Sequence, residues 1–180
     1  MVIKIALFED DYLTYQLYTA SKNKRTKNKR TQSWLIITGA FSIFAVFFKQ
    51  NNNLFLTYYF VILAVLSLCF YPFYQRYYYK RQYKKYVLDN NANSFGKEVI
   101  IDIDADYLQT KSIGSEGKIS TSGIAQLNEI GSHYFIKLNS GSSLIIPKKM
   151  VDEQLFLAEL NEIAQKNNIP LNHELNWKWK

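Results

Sequence analysis

Two uncharged apolar runs lie close together in the first half of the chain and constrain its fold more than any other feature. They are Trp34–Phe48 and Leu54–Tyr74, and the polar segment Lys49–Asn53 separates them. A helix needs about 20 apolar residues to cross a bilayer. The second run has that length, and polar residues at both ends extend the first. The alternative is a buried hairpin in a soluble helical protein, but neither run carries a polar stripe. We therefore expect a transmembrane helical hairpin over 32–75, with spans 32–49 and 54–74.

Basic residues flank this hairpin at one end only. Six precede the first run, five follow the second, and the turn between the runs carries only Lys49. Positive residues collect on the cytoplasmic side of membrane proteins, so we expect a multi-pass protein of the cytoplasmic (inner) membrane with both termini in the cytoplasm. The flanking residues predicted to contact lipid head groups are Lys22, Lys24, Arg25, Lys27, Lys29, Arg30, Arg76, Lys80, Arg81, Lys84 and Lys85.

Aromatic residues at the same end of the hairpin predict the membrane interface. Trp and Tyr are enriched where the hydrocarbon core of a bilayer meets the head groups. The predicted interfacial aromatics are Trp34, Tyr71, Tyr74, Tyr77 and Tyr78.

The net charge of +7 is unevenly distributed along the chain. From Val87 to the end there are nine Lys and no Arg, against twelve Asp and Glu. The basic character therefore belongs to the segments beside the apolar runs, and this position favours anionic lipids as the partner. Tyr74–Leu88 interleaves aromatic and basic residues, as proteins that bind single-stranded nucleic acid do. It matches no RNA-binding signature, so we predict no nucleic-acid partner.

The N-terminal segment 1–31 predicts a short strand followed by a basic amphipathic helix. Val2–Leu7 alternates loosely, and Glu9-Asp10-Asp11 places acids in the first turn of a helix, where the helix dipole favours them. A strand this short is unstable alone. We expect it to join the sheet of a C-terminal domain. Segment 76–96 is predicted to be a basic stalk and linker, with turn-forming residues from Asp89 to Gly96.

From Lys97 the hydrophobic period changes to two, which predicts short antiparallel strands in a meander. One predicted strand is Tyr107–Ile113, with a turn over residues 114–117. Met150–Asn167 has one apolar face and predicts a helix that closes the sheet. The predicted fold class is thus an α+β membrane protein with a cytoplasmic β domain over 97–169. The tail 170–180 leaves two alternatives open, an edge strand or a return to the membrane interface.

The order of these elements resembles a known family. A meander closed by one C-terminal helix is the plan of pleckstrin-homology-like (PH-like) and GRAM-like domains. The N-terminal strand with its acidic helix start, Glu9 to Tyr12, the hairpin, the strand Ile124–Ile130 and the segment Ile146-Pro147-Lys148-Lys149 together resemble the bacterial YcxB-like family. The resemblance covers nearly the whole chain and implies this architecture, with little about mechanism.

The remaining residues predict no catalysis. Cys69 is the single cysteine, so neither a disulfide nor a Cys-based zinc site is expected, and His133 and His173 have no Cys partner. The serines have no His at a spacing that suits an activated nucleophile, and the glycines form no phosphate loop. We predict a protein that is not an enzyme, with no cofactor, no metal and no small-molecule substrate.

Three functions remain open from the sequence. The first is a non-catalytic scaffold or regulatory domain presented at the inner leaflet, with membrane lipids and a protein as its partners. The second is an immunity protein that neutralises a toxin that acts on the membrane or is secreted. The third is a module that senses anionic lipids.

Overall fold

The computed structural model describes residues 1–112 and 114–180, which form two compact units. The first, here called the β unit, comprises Met1–Tyr15 and Tyr86–Lys178. The second, the helical unit, comprises Gln16–Lys85 with Trp179 and Lys180. The fold is α+β with two long apolar helices and mainly antiparallel sheets, as the sequence predicts.

Three helices account for the first half of the chain: α1 (Glu9–Lys22), α2 (Lys24–Gln50) and α3 (Leu54–Asn91). Both long helices continue past the predicted spans. Helix α2 begins in the basic segment because the side chain of Asn23 accepts hydrogen bonds from the backbone N–H groups of Arg25 and Thr26. Helix α3 continues through the predicted stalk and into the predicted linker, and a short 3-10 turn follows over Ala92–Ser94.

The turn between α2 and α3 is built from three asparagines. Asn52 adopts a left-handed conformation with φ of 53°, which Asn tolerates better than most residues. The side chain of Asn53 then accepts the backbone N–H of Leu56 at 3.1 Å and caps α3. The polar break in the sequence therefore reverses the chain, as predicted.

Polar and aromatic contacts join α2 to α3 within the helical unit. The hydroxyls of Thr38 and Ser67 are 3.0 Å apart, and the ring of Phe48 stacks on Phe60 with centroids 5.4 Å apart. The Gln75 side-chain amide donates to the Arg30 carbonyl at 2.9 Å. These contacts fix the start of α2 beside residue 75 of α3.

Two four-stranded sheets form the framework of the β unit. The first has the order β1-β2-β3-β4 and is antiparallel throughout. The second has the order β7-β6-β5-β8, with β8 parallel to β5. The strands are β1 (Val2–Ala6), β2 (Glu98–Ile103), β3 (Tyr107–Ser112), β4 (Ser115–Ser120), β5 (Ile124–Ile130), β6 (His133–Leu138), β7 (Ser143–Pro147) and β8 (Leu171–Glu174).

The N-terminal strand joins the C-terminal sheet, as the sequence predicts. Strand β1 pairs with β2 in antiparallel register, with Ile3 opposite Ile101 and Ile5 opposite Val99. Both Ile3 and Ile5 are buried because they face the core.

Two details differ from the sequence prediction, and one of the two alternatives for the tail is observed. The predicted turn over residues 114–117 is wrong, because β4 already begins at Ser115 and pairs with Ser112. The predicted strand end, Ile113, lies outside the described residues. The meander is divided between two sheets at the 3-10 turn Thr121–Gly123. The tail forms an edge strand, β8.

Helix α4 (Glu153–Asn167) packs against the shared core of the two sheets. The predicted start at Met150 is three residues early, because Lys148–Met150 forms a 3-10 turn and the Asp152 side chain caps the helix. The core joins both sheets and the helix through Ile101, Ile103, Leu108, Leu127, Ile136, Phe156, Leu160 and Ile163.

Candidate functional site

Helices α2 and α3 are each long and apolar enough to cross a membrane by length and composition. Their most apolar 18-residue windows have mean hydropathies of 1.6 and 2.2. In α2 only Ala45 is buried, and between residues 54 and 74 none of the side chains is buried. Large apolar side chains such as Ile43 and Phe55 are 70% and 79% exposed. Exposed apolar surfaces of this extent are typical of sites that contact a membrane or another protein.

The eleven predicted lipid-contact residues all lie in the helical unit, and ten of them lie at the ends of α2 and α3 remote from the asparagine turn. We call them the basic collar. Lys22 ends α1, five residues lie in the first two turns of α2, and the other five lie on α3 after the apolar run. The Gln75–Arg30 hydrogen bond brings both groups to the same level of the hairpin. All members of the collar except Arg30 are exposed.

Arg30 is half-buried because aromatic rings cover its guanidinium. The Trp179 ring lies 4.9 Å away and the Tyr79 ring 5.6 Å away, both within cation–π distance. The Trp179 indole N–H donates to the Arg76 carbonyl at 3.1 Å. Arg30 is therefore enclosed by aromatic rings, unlike the exposed members of the collar.

The predicted interfacial aromatics lie along the hairpin beside the basic collar. Tyr71 is half-buried, and its hydroxyl lies 2.8 Å from that of Ser33. Tyr74, Tyr77 and Tyr78 are exposed, and Trp34 is half-buried. Aromatic residues beside a basic collar have the composition of a membrane–water boundary.

The β unit contains a buried ionic cluster that the sequence analysis did not identify. Lys148 donates to a Glu129 carboxylate oxygen at 2.6 Å and lies 3.3 Å from Glu153. His173 of the edge strand bonds the other oxygen of Glu129. Glu129 and Lys148 are 5% and 8% exposed.

The cluster shifts the pKa values of both buried partners. Burial alone raises the pKa of Glu129, but the hydrogen bonds from Lys148 and His173 outweigh it, and the pKa is lowered. Burial alone lowers the pKa of Lys148, but its bonds to Glu129 and Glu153 raise it above the ordinary value. Both groups are therefore held in their charged forms.

A second polar group joins α1 to the hairpin turn between β5 and β6. His133 Nε2 lies 3.0 Å from an Asp11 oxygen, and His133 Nδ1 lies 2.8 Å from the hydroxyl of Ser132. The other Asp11 oxygen accepts the backbone N–H of Phe8 at 2.8 Å. Burial lowers the pKa of His133, although Asp11 opposes the shift. Ser132, the residue before His133 in the sequence, therefore contacts the same imidazole ring as Asp11.

The sequence carried a weak signal for these clusters. Glu129 lies near the end of β5, and Lys148 directly follows β7. Charged residues at such positions need a partner if the position is buried. Their partners lie far away in sequence, so only the strand register identifies them. Within residues 1–112 and 114–180, no group of three or more His, Cys, Asp or Glu side chains is arranged to hold a metal ion.

Comparisons with known proteins add no relative: no family model matches the chain, and neither a curated protein nor a solved structure matches it.

Proposed function

We propose that this chain is a non-catalytic membrane protein that presents a small PH-like interaction domain at the inner leaflet. The observation that carries the proposal is the uncovered apolar surface of α2 and α3, bounded at one end by the basic collar. Moving a large apolar side chain out of water is worth about 1.5–3 kcal/mol. Lipid covers this surface, and the collar lies against the anionic head groups of the cytoplasmic side.

The pairing of β1 with β2 supports a two-span topology. Val2 pairs with Asp102, and the two apolar helices lie between them in sequence. Strands in one sheet lie on the same side of a membrane, so an even number of spans separates them. Both termini are then cytoplasmic, in agreement with the one-sided basic collar.

The polar groups of the β unit support binding in preference to catalysis. Glu129, Lys148, Asp11 and His133 are buried and are bonded to one another or to the backbone. Their polar groups are therefore already paired within the fold. The element order of the chain also resembles that of the YcxB-like family. The domain acts through its anchor, because tethering raises its effective concentration for a protein partner at the same membrane.

Membrane extraction tests the anchor. The wild-type chain should stay in the membrane pellet after high-salt and alkaline washes. Ile62→Lys/Leu66→Lys should release it or prevent its accumulation, because each Lys at the centre of a span costs about 3 kcal/mol. The matched control, Ser140→Lys/Ser142→Lys, changes exposed positions of the β unit and should stay in the pellet. Release of the wild-type chain by salt alone would contradict the anchor.

Cysteine labelling tests the topology. In a Cys69→Ser background, Asn51→Cys places a thiol in the helical turn and Ser140→Cys places one in the exposed turn between β6 and β7. A membrane-impermeant maleimide should label the first in intact spheroplasts and the second only after permeabilisation. The reverse pattern would overturn the cytoplasmic position of the β unit.

Site-specific photo-crosslinking tests the interaction role. A crosslinker at Ser140 or Glu116 of the full chain in native membranes should give a discrete protein adduct from at least one position. The same crosslinker at Phe55, in the apolar surface of α3, should give lipid adducts. Lipid adducts alone from the β-unit positions would contradict a protein partner.

A further inference from the structure

A pocket lies in the helical unit at the level of the basic collar. It occupies about 330 Å³ between the first turns of α2 and the middle of α3. Its lining residues are Lys27, Arg30, Thr31, Trp34, Pro72 and Gln75. The four residues from α2 follow an i, i+3, i+4, i+7 spacing and therefore share one helix face.

Two buried donors on the pocket residues have no acceptor. Arg30 Nε and Trp34 Nε1 are inaccessible to solvent and make no hydrogen bond. A buried N–H group without a partner is costly, and more so when the group is charged. Arg30 and Trp34 are four residues apart on α2, so their donors belong to the same side of the helix. Both residues line the pocket, and an anionic acceptor bound there would be the partner that their donors lack.

The helical unit contains no acidic side chain. Between Gln16 and Lys85 there is no Asp and no Glu, although the segment contains twelve Lys and Arg. Arg30 therefore has no Asp or Glu side chain of this segment to pair with. Its charge is instead covered by the Tyr79 and Trp179 rings, which hold the guanidinium without neutralising it.

A hydrogen bond joins the two walls of the pocket in the absence of a ligand. The Arg30 carbonyl accepts it from the Gln75 side chain. Pro72, which also lines the pocket, lies inside α3 and has no N–H to donate within the helix. A preformed site loses less conformational entropy on binding than a flexible one.

We infer that this pocket binds the phosphate group of an anionic phospholipid. Phosphate offers several acceptor oxygens, which suit the Arg30 fork, the Lys27 ammonium, the Thr31 hydroxyl and the Trp34 indole. Lipid is the source because the pocket lies where the apolar runs end and the basic collar begins, and basic pockets between transmembrane helices bind lipid head groups. The inference rests on the proposed membrane anchor.

The test measures binding of phosphatidylglycerol to the full chain in detergent micelles by native mass spectrometry. Arg30→Gln should weaken binding about tenfold or more, as expected for one charge-assisted hydrogen bond. Trp34→Phe keeps a ring but removes the N–H, and should weaken binding about threefold or more. The control Lys49→Gln removes one exposed charge of the helical unit outside both the basic collar and the pocket and should change binding less than twofold. Helix content by circular dichroism checks that each variant is folded.

Three outcomes would overturn the inference. Equal weakening by all three substitutions would indicate a diffuse electrostatic surface. Unchanged binding in folded Arg30→Gln and Trp34→Phe would exclude the pocket. Inorganic phosphate or glycerol 1-phosphate binding as tightly as the lipid would make the site one for a soluble phosphate. Alkaline extraction of the wild-type chain, done in parallel, separates the membrane anchor from the pocket. If the wild-type chain stays in the membrane while the variants bind lipid as it does, only the pocket is refuted.

Discussion

Two residues, Glu129 and Lys148, carry opposite charges into the interior of the β unit. Their 2.6 Å contact is buried, with His173 and Glu153 as further partners. A buried ion pair contributes little net stability compared with apolar residues of the same volume, but loss of one partner leaves an uncompensated buried charge. The unit therefore tolerates a single substitution here poorly.

Glu129→Gln is expected to destabilise the β unit by about 3 kcal/mol, the low end of the range for broken buried pairs because Glu153 remains near Lys148. Thermal unfolding of the full chain in detergent micelles, followed by near-ultraviolet circular dichroism, measures the loss. The control Glu153→Gln changes a side chain that is 58% exposed and should cost less than about 1 kcal/mol. Equal effects of both substitutions would contradict the importance of burial.

Acid should destabilise the β unit in two stages. The pKa of His133 is lowered from 6.5 by burial, so the unfolded chain binds the proton more tightly than the folded one. Stability is therefore lost as pH falls below about 6.5. The pKa of Glu129 is also lowered, from 4.5, and its contribution is lost as pH falls further through its folded pKa. Asp11, Lys149 and Ser132 are the polar groups that face His133.

The measurement is the unfolding temperature between pH 8 and pH 5. His133→Gln keeps a group that can bond Asp11 but removes the titration, so the variant should lose less stability than the wild type over this range. An identical slope in both proteins would show that other groups cause the acid sensitivity.

At the scale of elements, helix ends depend on single residues with particular backbone conformations. Asn168 ends α4 with φ of 53° and ψ of 40°, in the left-handed region. Asn168→Gly should therefore be neutral or slightly stabilising, because glycine adopts this conformation without strain. Asn168→Val should cost about 1–2 kcal/mol. Unfolding temperatures of the two variants provide the test, and equal values would contradict the strain argument.

The hydrophobic period of the sequence predicts most helices and strands, because the two faces of each element differ in burial. Alternation in Tyr134, Ile136 and Leu138 identifies β6, and the uncharged runs identify the cores of α2 and α3. Apart from the joining of β1 to the C-terminal sheet, pairing across long separations escaped prediction. The division into two sheets, the parallel position of β8 and the partners of Glu129 depend on tertiary register, which local periodicity does not encode. The lipid contacts of the basic collar stay a prediction. The covered position of Arg30 was not foreseen, because Trp179 lies at the far end of the chain.

At the scale of the whole molecule, the β unit is assembled from both ends of the chain. Residues 1–15 supply β1 and the Asp11 partner of His133. A fragment of residues 86–180 should therefore fail to fold, since the face of β2 that carries Ile101 loses its neighbour Ile3. Residues 1–15 joined to 86–178 by a flexible linker should fold. Dispersed amide signals in a two-dimensional NMR spectrum distinguish the two cases, and a well-dispersed spectrum of the shorter fragment would refute the prediction.

The pairing of Val2 with Asp102 also sets an order of events during synthesis. At about 5–20 residues per second, the first strand leaves the ribosome roughly 5–20 s before its partner is made. Both apolar helices are translated in that interval. The amino-terminal strand therefore stays unpaired until β2 has been made. Completion of the sheet shows that the hairpin has already left the ribosome. A ribosome that stalls within the hairpin leaves the first strand exposed, where chaperones or proteases can recognise it.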